Sequence, residues 1–380
     1  MRPRSLIILI TVCLTACASM AAPTHTPQPP PSATAPAPTI TLPSTVVAQG
    51  TPTHGPTVTP TTKGECRSIA ASGQGATQLK LLQVLIANNP PVWDIVFTRD
   101  SQALLTADAS PVTRWDLATG QPTQVITAEN NANLLAISLD VNRDGSFIAT
   151  GGGANDHTPR VWDAATNTLY NEMLPHEALV QSVAFNSDGS RLASGDNHNT
   201  VRVWDTATGQ LQSEFTGNSK ELQEAFTRFY WLDETTLVGA GATGVYWWET
   251  YTGEAIGKME KVPDMPYFRE IALNQTLNLI ASVHQDSTVS LWNLTERSPQ
   301  GVLPNVTQGA LFTVDINAAG TLIAAGGDDG TLWVWDAAAK QLRLECSGPG
   351  GALTKVRFSP DGRYLAALSI EDTVWVWGVP

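Results

Sequence analysis

The sequence predicts an all-β fold assembled from seven copies of one unit. Three observations carry that expectation. A Trp closes a run of alternating apolar residues seven times, at Trp115, Trp162, Trp204, Trp248, Trp292, Trp335 and Trp377. The spacings are 47, 42, 44, 44, 43 and 42 residues, and a near-constant period of that length marks a repeat architecture. Asp-Gly and Thr-Gly pairs recur between the runs, where the chain must reverse tightly.

Each element of the unit has a local reason. The clearest copy runs from Pro175-His176-Glu177 through Val180–Phe185, Asp188-Gly189, Arg191–Gly195 and Thr200–Asp205. Val183/Phe185 and Val201/Val203 alternate with period two, which predicts half-buried strands. Asp144-Gly145, Asp188-Gly189 and Asp361-Gly362 predict hairpin turns, because such turns need positive φ. Ala-Thr-Gly at 118–120 and 207–209, and Tyr-Thr-Gly at 251–253, predict the turn into a fourth strand. The period and the terminal Trp-Asp pairs resemble the WD40 family, whose fold is a β-propeller of four-stranded blades. The resemblance covers residues 79–380 and implies a monomeric, seven-bladed propeller over residues 66–380, with each third-strand Trp filling space between blades.

The ends imply how the ring closes. The last copy stops three residues after Trp377, and Leu79–Ala87 precedes the first copy without one of its own. In this family such a strand completes the last blade, here by pairing with Thr373–Trp377, which removes an open seam. Many members also carry a buried His, Ser/Thr, Asp and Trp network. Here only His176 holds the His slot. Asp156, Asp286 and Asp329 fit an Asp slot six residues before the Trp, whereas Ala109, His198, Ala242 and Glu371 stand there elsewhere. The expectation is that no blade has all four members.

The first 65 residues differ in kind. Arg2 and Arg4 precede an apolar run, Leu6–Leu14, too short to span a bilayer. Leu14-Thr15-Ala16-Cys17 then resembles the bacterial lipobox, which implies a signal peptide over 1–16 and lipidation (palmitate among the acyl groups) at Cys17. An ordinary secretory signal cut after Ala18 or Ala22 is the alternative. Residues 18–63 hold 11 Pro and 12 Thr and no charge before Lys63. That composition cannot form a packed core and predicts a tether, residues 17–65 with the anchor, reaching roughly 140 Å if extended. The chain is therefore expected outside the cytoplasm, on the bacterial cell membrane or outer membrane, touching lipid through its anchor only. Beyond the leader, Cys66 and Cys346 are left. They either pair or remain free thiols. On the propeller resemblance, Cys346 ends the fourth strand of the sixth blade and Cys66 lies 13 residues before the closing strand, so a disulfide is in reach.

Charge narrows the partners. Acidic residues outnumber basic ones 35 to 22. Setting aside residues 1–65, with three basic and one acidic residue, leaves 34 against 19, a net of −15. This excludes nucleic acid as the expected partner, since such binding neutralises phosphates with Lys and Arg. No catalytic signature stands out, and no metal or cofactor is expected. Gly151-Gly152-Gly153 lies in a strand-to-strand loop with no helix after it. Asp328-Asp329-Gly330 reads as the family's ordinary turn. His157, His176, His198 and His284 read as structural or solvated histidines.

What remains is a surface. In the resembled family, the residue one place into each first strand lines the top face near the central channel, a usual partner-binding region. Those positions are Trp93, Leu135, Gln181, Thr227, Arg269, Phe312 and Thr354, with Leu179 and Tyr267 two residues before theirs. Trp, Phe, Tyr and Arg are the types enriched at binding hot spots, although some can simply pack against neighbouring loops. The expected function is a non-catalytic platform or envelope scaffold that binds another protein, or a peptide or glycan. The alternative is a propeller hydrolase, lyase or glycan-binding module using the channel face, because fold alone does not fix function.

Overall fold

A computed structural model describes residues 64–69, 79–87, 90–108, 112–126, 135–154, 156–216, 227–241, 244–260, 268–304, 306–307, 309–348 and 350–379. The expected leader, the Cys17 lipid site and the tether up to residue 63 lie outside these residues, as does Tyr267.

Seven antiparallel sheets follow one another along the chain. The first strands of blades 1 to 7 are Asp94–Phe97, Ala136–Val141, Val180–Phe185, Phe229–Trp231, Phe268–Asn274, Leu311–Ile316 and Leu353–Phe358. Each is an edge strand at the channel, and second, third and fourth strands follow outward in chain order. Only the last blade breaks that order: Lys80–Ile86 forms its outer strand, paired antiparallel with Thr373–Gly378. This is the overlapping closure the sequence implied.

The third-strand Trp sits where it was expected. Trp162, Trp204, Trp248, Trp292, Trp335 and Trp377 are fully buried, and Trp115 is nearly so. Each lies in an apolar cluster shared by two adjacent blades, as Trp204 does with Ala149 and Val161 of the blade before it. Burying an aromatic side chain of this size is a large hydrophobic term, repeated once per junction.

The Asp after the Trp has a separate task. Asp116 Oδ1 accepts the N–H and the hydroxyl of Thr119, both at 2.8 Å. Asp163 does the same with Thr166, and Asp205 with Thr208. These bonds hold all three carboxyls below the usual carboxylate range and fix the turn into the fourth strand. Gly120, Gly209 and Gly253 then take φ near +70°, where a side chain would be strained. In blade 7 the outer strand arrives from the N-terminal side, no such turn exists, and Gly378 follows the Trp instead of Asp.

Blade 6 carries a feature absent from the expected plan. Cys66–Ser68 adds a fifth strand outside Gln341–Ser347, with Cys66 opposite Cys346. The two cysteines form a disulfide closing 280 residues of chain. Gly64 N–H donates to Ser347 O at 3.1 Å, Ser347 N–H to Glu65 O at 3.2 Å, and Ile69 N–H to Arg343 O at 2.9 Å. The Gly64 carbonyl then accepts the Trp377 indole N–H of blade 7 at 3.3 Å. One short strand is thereby fixed to two blades.

A loop of that length corresponds, in the chain-entropy model, to about 5 kcal/mol of stabilisation. Cys66→Ser is expected to lower the thermal midpoint by on the order of 10 °C. In hydrogen exchange, the amides of residues 64–69 and the Trp377 indole should lose protection before the inner strands do. An unchanged midpoint would show that the disulfide does not constrain the ring.

Candidate functional site

The first strands place their side chains in tiers around the channel. Register shifts mark a bulge between the first and third residue of five of these strands, at Ile137, Gln181, Arg269, Phe312 and Thr354. A bulge frees one residue from the ladder and re-aims its side chain. With the matching Trp93 and Thr227, these seven make an upper ring, and every one is half-buried. Six of the expected rim residues (Trp93, Gln181, Thr227, Arg269, Phe312 and Thr354) stand in it. Leu135 does not: the register puts Ile137 in that place, two residues further on, because blade 2 begins pairing at Ala136. Leu179, also half-buried, lies just ahead of the blade 3 strand, where its carbonyl accepts the Asn197 N–H at 3.1 Å. The Arg269 guanidinium lies over the Phe312 ring, 4.8 Å from its centroid.

Below the rim the channel is charged, which the sequence reading missed. One residue further in stand Asp94, Ser138, Ser182, Arg228, Glu270, Thr313 and Lys355. Two residues beyond those stand Asp140, Tyr230, Asp315 and Arg357. Many of them reach to the next blade. Asp94 Oδ2 accepts the Leu139 N–H at 3.0 Å, Asp140 Oδ2 the Phe185 N–H at 2.8 Å, and Ser182 Oγ the Phe229 N–H at 3.1 Å. Glu270 Oε2 accepts the Val314 N–H at 3.1 Å. Thr313 and Asp315 accept the N–H groups of Val356 and Phe358 at 2.9 and 2.8 Å. Tyr230 Oη donates to the Ile271 carbonyl at 3.2 Å.

Two ion pairs cross the channel, each skipping a blade. Arg228 of blade 4 reaches Asp315 of blade 6 at 3.2 Å, and Arg357 of blade 7 reaches Glu270 of blade 5 at 2.9 Å. Lys355 and Arg357 approach Asp94 of blade 1 at 3.9 and 3.8 Å. Burial opposes ionisation of Glu270, but Arg357, Lys355 and Arg228 outweigh it and hold the carboxyl down at about 2. Burial pushes the Asp140 carboxyl up, against the pull of Arg99. The crossing pairs occupy the side of blades 4 to 7. A cavity of about 300 Å³ remains, lined chiefly by blades 7 and 1 to 4, including Gln181, Thr227, Arg228, Lys355 and Arg357.

The buried tetrad expectation is corrected in blade 3. His176 Nε2 lies 2.7 Å from Ser194 Oγ, and Nδ1 lies 3.1 Å from Asp196 Oδ2. The Trp204 indole N–H donates to the same Ser194 oxygen at 2.8 Å. All four members are present because the Asp is Asp196, eight residues before the Trp and not six. Blade 5 keeps Ser282, His284 and Trp292 in one chain, and blade 1 keeps Thr106, Asp108, Thr113 and Trp115. Asp156 instead pairs with Arg160 at 2.5 Å, and Asp329 accepts the Thr307 hydroxyl at 2.7 Å. His198 is exposed and His157 half-buried. These networks are structural: they satisfy buried polar atoms and hold second strands to third.

The fold is a seven-bladed β-propeller, and four stretches of the chain match the WD40 repeat. The family model for the WD domain, G-beta repeat, matches residues 120–163, 168–205, 298–336 and 340–378. Each match begins at or just before the fourth strand of one blade and ends with the third strand of the next, so the sequence repeat straddles two blades. Similar chains include eukaryotic translation initiation factor 3 subunit I of Phaeosphaeria nodorum, 45% identical over 56 residues, which cover 15% of this chain and 17% of that protein. The human angio-associated migratory cell protein is 27% identical over 209 residues, covering 54% of this chain and 46% of that protein. The chain thus spans less than half the length of each of these relatives.

The ionised Glu270 gives the ring a pH dependence. Its folded pKa lies below the ordinary value of 4.5, so its contribution is present above about 4.5 and is lost as pH falls toward 2. That contribution is about 3 kcal/mol. Glu270→Gln should destabilise by about that amount at pH 7, in line with breaking a buried pair, and by about half as much at pH 3. Guanidinium unfolding of both proteins at the two pH values checks it. A difference independent of pH would show that the carboxylate is not held ionised by its neighbours.

Proposed function

We propose that this chain is a non-catalytic platform for another protein, held outside the cytoplasmic membrane by lipid at Cys17 and raised on its Pro/Thr-rich segment. The observation that carries the reading is the upper ring. Its bulged residues are spared from the ladder, and Trp93, Ile137, Phe312 and Arg269 give one rim the aromatic, aliphatic and guanidinium groups that dominate protein interfaces. The channel carboxylates are committed to backbone N–H groups and crossing cations, which suits a rigid support better than acid–base turnover. The relative named as a subunit of an initiation factor supports a role as one part of an assembly. An envelope scaffold is the specific form this takes for a lipid-anchored chain.

Crosslinking in the native envelope, followed by mass spectrometry, tests the proposal. Wild type should capture one dominant protein, and Trp93→Ala combined with Phe312→Ala should lose it while keeping the thermal midpoint. Absence of a protein partner in both samples would overturn the platform reading.

A further inference from the structure

The acids and bases of the channel are not spent alike. Of the eight oxygens on Asp94, Asp140, Glu270 and Asp315, seven accept a hydrogen bond within 3.2 Å. The cations on the cavity side have donors to spare. The Lys355 ammonium has its nearest carboxylate oxygen, on Asp94, at 3.9 Å, too far for a hydrogen bond. Arg228 makes one hydrogen bond, to Asp315, out of five available N–H donors. Both side chains remain about a quarter exposed, at 23% and 26%, and both line the cavity.

We propose that the channel mouth is a receptor for a single carboxylate, carried by an Asp or Glu side chain of the partner and held by Lys355 and Arg228. The proposal rests on the platform reading and specifies what the rim's partner must insert. The lining explains why one negative charge fits and two do not. Of the charged groups around the cavity, Arg99, Arg228, Lys355 and Arg357 outnumber Asp94, Asp140 and Asp315 by one. A carboxylate gains charge-assisted hydrogen bonds there. A phosphate dianion would bring a second charge close to three carboxylates and gain little for it. A volume of about 300 Å³ admits one acidic side chain with its backbone.

Isothermal titration calorimetry on the purified, disulfide-intact chain tests this with capped peptides. Capped hexaglutamate should bind at least tenfold more tightly than capped hexaglutamine. Lys355→Met should weaken the hexaglutamate by at least tenfold, and Lys355→Arg should restore most of it. Equal binding of the two peptides to wild type would overturn the proposal without needing any variant. Inorganic phosphate displacing hexaglutamate at equal concentration, or a Gly-Ser peptide with a free C-terminus binding where hexaglutamate does not, would overturn it too, by assigning the site to another anion. The crosslinking experiment separates the two levels. If Lys355→Met keeps the partner that the Trp93→Ala and Phe312→Ala pair loses, the platform stands and the carboxylate receptor falls.

Discussion

The ring depends on how each blade satisfies the open edge of the next. The first strand of every blade has a paired neighbour on one side only. Its remaining N–H groups face the channel, and an unpaired edge is both unstable and a template for wrong pairing. At five of the seven junctions a carboxylate or hydroxyl from the preceding blade takes the N–H, always in the same direction: Asp94 to Leu139, Asp140 to Phe185, Ser182 to Phe229, Glu270 to Val314, and Thr313 with Asp315 to Val356 and Phe358. Burying so many charges is costly, and removing one partner of a buried pair costs more than the pair contributes. The arrangement holds because each acid receives at least one backbone N–H and, for Glu270 and Asp315, a guanidinium as well. The channel is thus an electrostatic hoop inside an apolar barrel of Trp-centred junctions.

Closure couples that hoop to the outside of the molecule. In blades 1, 2, 3 and 5 the Trp indole donates to a Ser or Thr on the second strand, at Thr106, Thr150, Ser194 and Ser282. Blade 7 has Ala367 in that place, and the N-terminal strand supplies the Gly64 carbonyl instead. The same strand is bonded covalently to blade 6. The seam most exposed to opening therefore carries a second strand, an indole bond to a backbone carbonyl and a disulfide, a combination that no other junction has among the described residues. A chain pulled from its N-terminal side would load blade 6 through the disulfide before loading the ring-closing strand Lys80–Ile86, because residue 66 comes first.

The parts legible in the sequence were those with a local signature. Trp spacing, Asp-Gly turns and the terminal strands gave the blade count and the closure, since each follows from contacts within about 45 residues or from simple arithmetic at the ends. The channel carboxylates were not legible. Each is one acidic residue in an otherwise apolar strand, and its acceptor role appears only when the next repeat, 43 to 45 residues on, is set beside it. The signal that would have found them is their recurrence one or three places after the bulge. The error at Leu135 has a different cause: blade 2 begins pairing at Ala136, two residues later than a strand with Leu135 one place in would begin. Asp196 was missed for a related reason. The tetrad was sought at a fixed distance from the Trp, ahead of the third strand, whereas Asp196 is the last residue of the second strand. The fifth strand on blade 6 had no β-signal at three residues, and the two cysteines stated a distance and not a conformation.

The tiers also separate what must be kept from what is free to vary. Residues of the inner tiers hold the ring, so their chemistry is tied to stability: an acid or hydroxyl must face the following N–H. The bulged residue of the upper ring belongs to neither ladder nor Trp cluster, so the fold asks little of it beyond size. Seven positions, five of them bulged, encircle one opening, and they differ widely here, from Thr227 and Thr354 to Trp93, Arg269 and Phe312. A surface that the fold leaves unconstrained, yet that holds a Trp, a Phe and an Arg stacked on that Phe, is better explained by recognition than by packing. Lys355 and Arg228 lie one tier down, where the other members serve the neighbouring blade. Neither donates to the next blade's backbone: Lys355 lines the cavity, and Arg228 lines it while pairing across the channel with Asp315.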